Sequence, residues 1–220
     1  MSISEINIPV GNYTSLKASL SVPDGALSLV IFSHGSGSSR FSVRNRLVAT
    51  ELNKNKIATL LADLLTEEED SVFENRFNIP LLSERLISVT SHINALPRLK
   101  KLPIGFFGAS TGAASALTAA AQLDGFIHAV VSRGGRPDLA ISALHKVEAP
   151  VLLIVGSKDT TVLDYNKNCL KKFHCPNKLE IIEGASHLFE EPGKLQVAAA
   201  LAAGWFNKYI NAQKIKIHVV

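Results

Sequence analysis

Six short and nearly continuous hydrophobic runs recur along the chain, separated by longer segments with helical periodicity. The runs comprise residues 29–32, 57–61, 104–107, 127–131, 151–155 and 179–182. Runs of this length are typical of parallel strands that are covered on both faces of a sheet. The intervening segments predict helices at residues 43–53, 80–96, 111–123, 163–173 and 194–210. This alternation predicts an α/β fold, in which right-handed crossovers place helices on both faces of a mostly parallel sheet.

The first 25 residues follow a different pattern. Residues 6–8 and 16–22 alternate hydrophobic and polar positions, and the turn-forming pair Gly11-Asn12 lies between them. This pattern predicts an antiparallel hairpin at the edge of the sheet. The acidic residues 67–70 predict a solvated loop or the start of a helix. Because no repeat or long linker divides the sequence, we expect residues 1–220 to form a single domain.

Composition narrows the possible functions. The chain is 46% hydrophobic and 19% charged, as expected of a globular protein, and its net charge is only +4. Lysines are dispersed and only 6% of residues are aromatic, so the basic stripe of a nucleic-acid-binding surface is not predicted. No hydrophobic run reaches the roughly 18–20 residues of a membrane span, and the N-terminal sequence lacks the features of a secretory signal. We therefore expect a cytoplasmic protein that binds neither nucleic acid nor membranes.

The strongest chemical signal is Gly108-Ala109-Ser110-Thr111-Gly112, which follows a predicted strand and precedes an alanine-rich predicted helix. A strand that runs straight into a helix forces a tight, strained turn at the serine, and the flanking glycines leave room for that turn. Such a turn would lift the Ser110 hydroxyl to the carboxyl edge of the sheet. Ser110 is therefore the predicted nucleophile, and the alternative is a glycine-serine turn without chemistry.

A serine nucleophile needs a base and a group that orients the base. His187 follows the last predicted strand and therefore lies at the same edge of the sheet as Ser110, so it is the predicted base. Asp159 follows the preceding strand and is the predicted orienting acid, which gives the chain order Ser, Asp, His of α/β-hydrolases. Asp63 and Asp138 also follow strands. However, Asp63 precedes the nucleophile, and Asp138 lies at a helix start, where a carboxylate is favoured in any case.

A loop rich in glycine and serine, residues 33–39, follows the first hydrophobic run. Backbone amides in such a loop can point at the oxyanion that develops during acyl transfer. We expect the amides of Ser36 and Thr111 to form the oxyanion hole. His34, in the same loop, is expected to form structural hydrogen bonds rather than to act as a second base.

The sequence indicates no cofactor. The loop at residues 33–39 lacks the third glycine of a dinucleotide fingerprint, where Arg40 stands, and it lacks the Gly-Lys-Ser/Thr ending of a triphosphate-binding loop. Cys169 and Cys175 match no common zinc-ligand spacing, so we expect two free thiols and no metal site. The predicted acyl chemistry also requires neither a metal nor an organic cofactor.

Given these residues, the sequence resembles the dienelactone-hydrolase-like branch of the α/β-hydrolases. More narrowly, it resembles the small hydrolases that occur alone or fused to phosphoribosyltransferase domains. The resemblance is carried by HGSGSSRFSVRNR, TLLADLLTEEE, GFFGASTGAASAL, AVVSRGGRPDLA, APVLLIVGSKD and GASHLFEEPG. It implies the triad Ser110, Asp159 and His187 and an α/β-hydrolase fold without a large lid. Dienelactone hydrolases proper use a cysteine where this chain has Ser110, which favours ordinary ester or thioester chemistry.

The predicted function is hydrolysis of a small ester or thioester through an acyl-enzyme intermediate. An acyltransferase or a peptidase would use the same residues, and a non-catalytic partner-binding domain could share the fold. Arg40, Arg133 and Arg136 follow strands at the predicted edge, so they are candidates to bind an anionic group on a small-molecule substrate. The alternative is that they pair with surface acids. The oligomeric state and the role of residues 214–220, which alternate like an edge strand, stay open.

Overall fold

The computed structural model describes residues 3–11 and 14–211, in which eight strands form one sheet of order β1-β2-β4-β3-β5-β6-β7-β8. The strands are β1 Ile3–Val10, β2 Thr14–Ser21, β3 Ser28–Ser33, β4 Ile57–Ala62, β5 Ile104–Ala109, β6 Ile127–Arg133, β7 Val151–Gly156 and β8 Asn177–Ile182. β2 pairs antiparallel with β1 and with β4, whereas the remaining neighbours are parallel. The predicted parallel sheet and N-terminal hairpin are thus confirmed. Asn12 of the predicted turn and residues 214–220 lie outside the described residues.

The helices fall where the sequence predicts them, with shifted ends. They are α1 Val43–Lys54, α2 Glu67–Ser71, α3 Ile79–Ala95, α4 Thr111–Gln122, α5 Thr160–Leu170 and α6 Lys194–Phe206. A π-helical turn, Asn207–Asn211, continues α6. The acidic residues 67–70 begin α2, and a capping box between Thr66 and Glu69 starts this helix. The helix alternative for this acidic segment is therefore the one observed.

Helices cover both faces of the sheet, and each face has its own hydrophobic core. Phe32 and Phe107 pack with residues of α1 and α6 on one face, and their ring centroids are 4.9 Å apart. Ile31 and Phe106, the preceding positions on the same strands, pack with residues of α3 and α4 on the other face. Since successive side chains of a strand point to opposite faces, the continuous hydrophobic runs serve both cores.

The strand β8 departs from the prediction. The sequence predicts that residues 179–182 are buried on both faces, but only Ile182 of this strand is buried, and Ile181 is 45% exposed. In contrast, each residue of β7 is buried. β8 is the last strand of the described sheet, so it has a neighbouring strand on one side only within the described residues. The prediction of full burial is wrong for this edge strand.

The connection from β6 to β7 contains no α-helix. Residues 134–150, between β6 and β7, contain two 3₁₀ helices, Pro137–Ala140 and Leu144–Lys146. The described ranges contain no inserted lid domain, as the sequence resemblance implies. None of the helices in residues 3–11 and 14–211 is long and apolar enough to cross a bilayer.

Candidate active site

Ser110 occupies the turn between β5 and α4 with an unfavourable backbone conformation. Its φ is 52° and its ψ is −123°, a region that costs a non-glycine residue about 1–3 kcal/mol. Hydrogen bonds hold it there. The Ser110 amide donates to the Arg133 carbonyl over 3.2 Å, and the Ser110 carbonyl accepts from the amides of Ala113 and Arg136, both over 3.1 Å. The local structure is thus the strained strand-to-helix turn that the sequence predicts.

The glycines on either side of Ser110 are required by close packing. A Cβ at Gly108 would lie 2.4 Å from the Cα of Ala113, and a Cβ at Gly112 would lie 2.2 Å from the carbonyl oxygen of Ser33. Neither contact can relax cheaply, because both neighbours are backbone atoms. The helix α4 can therefore begin directly at the end of β5 only with glycine at these two positions.

The three residues predicted to form a triad meet at the carboxyl edge. Asp159 follows β7 and precedes α5, while His187 follows β8. The His187 Nδ1 lies 2.6 Å from Asp159 Oδ2, and the two side chains are 38% and 13% exposed. Ser110 and His187 line the same cavity of about 250 Å³. This geometry places Nε2, the free ring nitrogen of His187, on the side of the imidazole away from Asp159.

Side chains that the sequence analysis did not identify position the His187 loop. Ser157 Oγ accepts a hydrogen bond from the Gly184 amide over 2.8 Å, which joins the ends of β7 and β8. The Ser186 amide donates to both carboxylate oxygens of Glu191, over 3.1 and 3.0 Å. That hydrogen bond lowers the pKa of Glu191. Serines and glutamates in loops are too common for their spacing to have indicated this role.

Gly134 packs directly against the imidazole of His187. It has a φ of +52°, and a Cβ there would lie 3.2 Å from the His187 carbonyl oxygen and 3.5 Å from two ring atoms. The Gly134 amide donates to the Ile154 carbonyl over 2.7 Å, which fixes the turn after β6. In the sequence, this contact is indicated only by the pair Gly134-Gly135, which follows a predicted strand.

The residues expected to form the oxyanion hole contact each other. The Ser36 amide donates to Thr111 Oγ1 over 2.8 Å. The Thr111 amide lies in the first turn of α4, where helical amides lack carbonyl partners within the helix. The loop after β3 and the start of α4 are therefore coupled through the Thr111 hydroxyl, a contact that the sequence did not indicate.

His34 forms structural hydrogen bonds, as expected from the sequence. Its Nε2 accepts from the Leu64 amide over 3.2 Å, so its Nδ1 carries the proton that is donated to the Gly35 carbonyl over 3.0 Å. Burial lowers the pKa of His34, which favours this neutral form. Both ring nitrogens are engaged, and the ring fastens the loop after β3 to the loop after β4.

The three candidate arginines have different environments. Arg40 pairs with Asp63 and Glu5, and Arg136 pairs with Asp138 over 2.7 Å. Neither Arg40 nor Arg136 is among the residues that line the cavity, whereas Arg133 is. The same ion pairs engage the two alternative carboxylates, Asp63 and Asp138, with arginines rather than with His187. The structure therefore brings Arg133 to the candidate site and leaves Arg40 and Arg136 outside it.

Residues 3–11 and 14–211 contain no group of three or more histidine, cysteine or acidic side chains that could hold a metal ion. Cys169 and Cys175 are free thiols, and burial raises the pKa of Cys175 to about 11. A thiol with a raised pKa is a weak nucleophile at neutral pH.

Comparison with solved structures shows that other proteins share this fold. The dienelactone hydrolase from Anabaena variabilis is 48% identical, with a TM-score of 0.92 over 95% of this chain and 98% of that one. Est1E from Butyrivibrio proteoclasticus is 18% identical, with a TM-score of 0.81 over 94% of this chain and 98% of that one. The second likeness concerns the fold alone.

Sequence comparison gives relatives that are longer than this chain. Proteins named "Putative phosphoribosyl transferase" from two strains of Mycobacterium tuberculosis are each 51% identical over 187 residues. The matched region is 85% of this chain but only 42% of each relative, so their name describes a protein more than twice as long. The model of the dienelactone hydrolase family matches residues 20–211, which is most of the chain. The resemblance that the sequence predicts is thereby confirmed. This chain belongs to the dienelactone hydrolase family.

Proposed function

We propose that this protein is a serine-dependent hydrolase that cleaves a small ester or thioester through an acyl-enzyme intermediate. The observation that carries the proposal is the arrangement of Ser110 and His187 in one cavity, with His187 Nδ1 hydrogen-bonded to Asp159. Membership of a hydrolase family supports the reaction class. The cavity volume of about 250 Å³ favours a small acyl group.

The proposed reaction follows from this geometry. With its Nδ1 proton donated to Asp159, His187 has an unprotonated Nε2 that can accept the proton of Ser110 Oγ. The Ser110 oxygen then attacks the substrate carbonyl, and the resulting tetrahedral intermediate collapses when His187 donates the proton to the leaving alcohol or thiol. Water, activated by His187 in the same way, attacks the acyl-enzyme and releases the acid and free Ser110. Protons balance, since each one taken from a nucleophile is returned to a leaving group.

The oxyanion would be stabilised by the amides of Thr111 and Ser36. The Thr111 amide lies at the N-terminus of α4, where the helix dipole favours negative charge. The Ser36 amide would share its hydrogen between Thr111 Oγ1 and the oxyanion, since its bond to the hydroxyl already points it toward the start of α4. Removal of one such donor typically costs about 10²–10³-fold in kcat.

Labelling with a neutral fluorophosphonate probe tests the nucleophile. We expect the wild-type protein to be labelled and Ser110→Ala to be unlabelled, with a fall in kcat on the order of 10³-fold or more. Ser38→Ala is the matched control, because Ser38 lines the same cavity. It should keep both labelling and turnover. Near-normal turnover or labelling of purified Ser110→Ala would remove the central assignment.

A second experiment tests the orienting acid. Asp159→Asn would hold His187 in the wrong tautomer, so kcat should fall by roughly 10³–10⁴-fold while the fold is kept. Asp138→Asn is the control, because Asp138 also follows a strand but pairs with Arg136. Equal activity of the two variants would contradict the role of Asp159.

A further inference from the structure

Arg133 carries a buried charge for which residues 3–11 and 14–211 supply no acidic partner. Its guanidinium lies 5.8 Å from the centroid of the Phe189 ring. Arg133 ends β6 and follows Val131 by two positions, so its side chain lies on the face of the sheet that α1 and α6 cover. The residue is only 6% exposed. In the described part of the chain, its Nε and Nη1 atoms are buried and have no hydrogen-bond partner. An unpartnered buried guanidinium destabilises a protein, so such a group is retained where it has another use.

The surroundings of Arg133 favour an anion. Burial, and to a smaller extent the charge of Arg44, lowers the pKa of Arg133 to about 10, which leaves the guanidinium charged at neutral pH. Ser42, Arg44 and Asn45, at the N-terminus of α1, line the same cavity. The first turn of this 12-residue helix has no acidic residue to offset its dipole. Two arginines and a helix N-terminus therefore face one small space.

Among the residues that the structure describes, no acidic side chain lines this cavity to balance these charges. The lining residues are Gly35, Ser36, Ser38, Ser42, Arg44, Asn45, Ala109, Ser110, Arg133, His187 and Leu188. Arg44 contacts Glu190 only at 3.5 Å and at an exposed position. Arg40 and Arg136, by comparison, each have a carboxylate partner outside the cavity. The described lining of the space beside Ser110 thus carries two arginines and no acidic side chain.

We propose that Arg133, together with Arg44 and the first turn of α1, binds a carboxylate on the acyl part of the substrate. The substrates are then half-esters or half-thioesters of small dicarboxylic acids. This inference rests on the proposed hydrolase function. The acyl side is assigned because the leaving group takes its proton from His187, whose side chain is 38% exposed and opens toward solvent. The acyl group stays on Ser110 and occupies the end of the cavity where Arg133 is buried.

Matched esters test the subsite. Ethyl hydrogen succinate carries a carboxylate on the acyl side, and ethyl succinamate is its neutral counterpart of equal size. Acetoxyacetate and acetoxyacetamide carry the same two groups on the leaving-group side. With release of ethanol from the succinate pair and of acetate from the acetoxy pair as the readout, the wild-type protein should prefer ethyl hydrogen succinate to its amide in kcat/KM by roughly 10- to 100-fold. It should show no such preference within the acetoxy pair.

Arg133→Met isolates the guanidinium, because methionine keeps a similar unbranched shape without charge. This variant should lose the roughly 10- to 100-fold preference for the carboxylate, mainly through a rise in KM for ethyl hydrogen succinate. Arg136→Gln is the matched control and should keep the preference. Labelling by the neutral fluorophosphonate should be unchanged in Arg136→Gln.

The outcomes separate the two proposals. If the wild-type protein is not labelled by the fluorophosphonate, the hydrolase proposal fails. If it is labelled but shows no preference for the acyl-side carboxylate, the subsite proposal is overturned and the hydrolase proposal stands. The same holds if Arg133→Met lowers kcat/KM equally for ethyl hydrogen succinate and ethyl succinamate. A preference confined to the acetoxy pair would overturn the acyl-side assignment.

Discussion

Ser110 and Arg133 each occupy an unfavourable state, one through its backbone and the other through its charge. They are also directly connected, because the Ser110 amide donates to the Arg133 carbonyl. The strain at Ser110 could be predicted because a turn of this kind needs glycines at Gly108 and Gly112. The burial of Arg133 could not be predicted. Arginine follows several strands of this chain, and which one is enclosed depends on what packs around it.

Substitution of Arg133 tests how much the buried guanidinium lowers the free energy of unfolding. The described residues give its charge no acidic partner, only the ring of Phe189 at 5.8 Å, so Arg133→Met should raise the free energy of unfolding by roughly 1–3 kcal/mol. Arg136→Met is the control. It loses a half-exposed ion pair with Asp138, so it should be neutral or destabilised by up to about 1 kcal/mol. Urea unfolding measures both, and a clear loss of stability in Arg133→Met would mean that the guanidinium has a partner.

The contact between Ser36 and Thr111 predicts a positioning role for the Thr111 hydroxyl. Thr111→Val removes the acceptor of the Ser36 amide, so the loop after β3 should lose its position and kcat should fall by about 10-fold with KM nearly unchanged. Thr111→Ser should restore kcat. Thr118→Val, half-buried on the same helix, is the control and should leave both constants unchanged. A drop in KM alone would argue against this role.

At the scale of elements, the strands could be predicted more accurately than the helix ends. The sequence predicts a helix at residues 163–173, whereas α5 runs from Thr160 to Leu170. The amide of Leu163 donates to the carbonyl of Asp159 over 2.8 Å, so the helix starts directly after β7. The β-branched residues at this start have low helix propensity, and tertiary structure overrides that preference. Because of this early start, Asp159 immediately precedes α5.

Two glycines on helices should respond in opposite directions to alanine substitution. Gly112→Ala places a Cβ 2.2 Å from the Ser33 carbonyl oxygen, so it should destabilise the fold by about 3 kcal/mol or more. At Gly204, near the end of α6, an added Cβ would meet no described atom within 4 Å apart from the backbone of its own helix. Gly204→Ala should therefore stabilise by roughly 0.5–1 kcal/mol. Thermal unfolding compares the two, and a harmless Gly112→Ala would contradict the close approach of β3 and α4.

At the scale of the molecule, the site arises because parallel strands bring their carboxyl ends to one edge. Ser110, Asp159 and His187 follow β5, β7 and β8, so their neighbourhood could be predicted once the strands were identified. The sequence could not show the contact of Gly134 with the imidazole or the bond from Ser186 to Glu191. Those contacts depend on the path of loops, which periodicity does not describe.

We propose that residues 1–220 form one domain, and unfolding can test this. Trp205 is the only tryptophan, is 8% exposed, and donates through Nε1 to the Pro150 carbonyl over 3.2 Å, which ties α6 to the start of β7. Ser110 lies at the opposite end of the strands. Since both hydrophobic cores share one sheet, Trp205 fluorescence and fluorophosphonate labelling of Ser110 should be lost at the same urea concentration. Gly204→Ala should shift both curves together. Two separate midpoints would show that the site and the α6 face unfold independently.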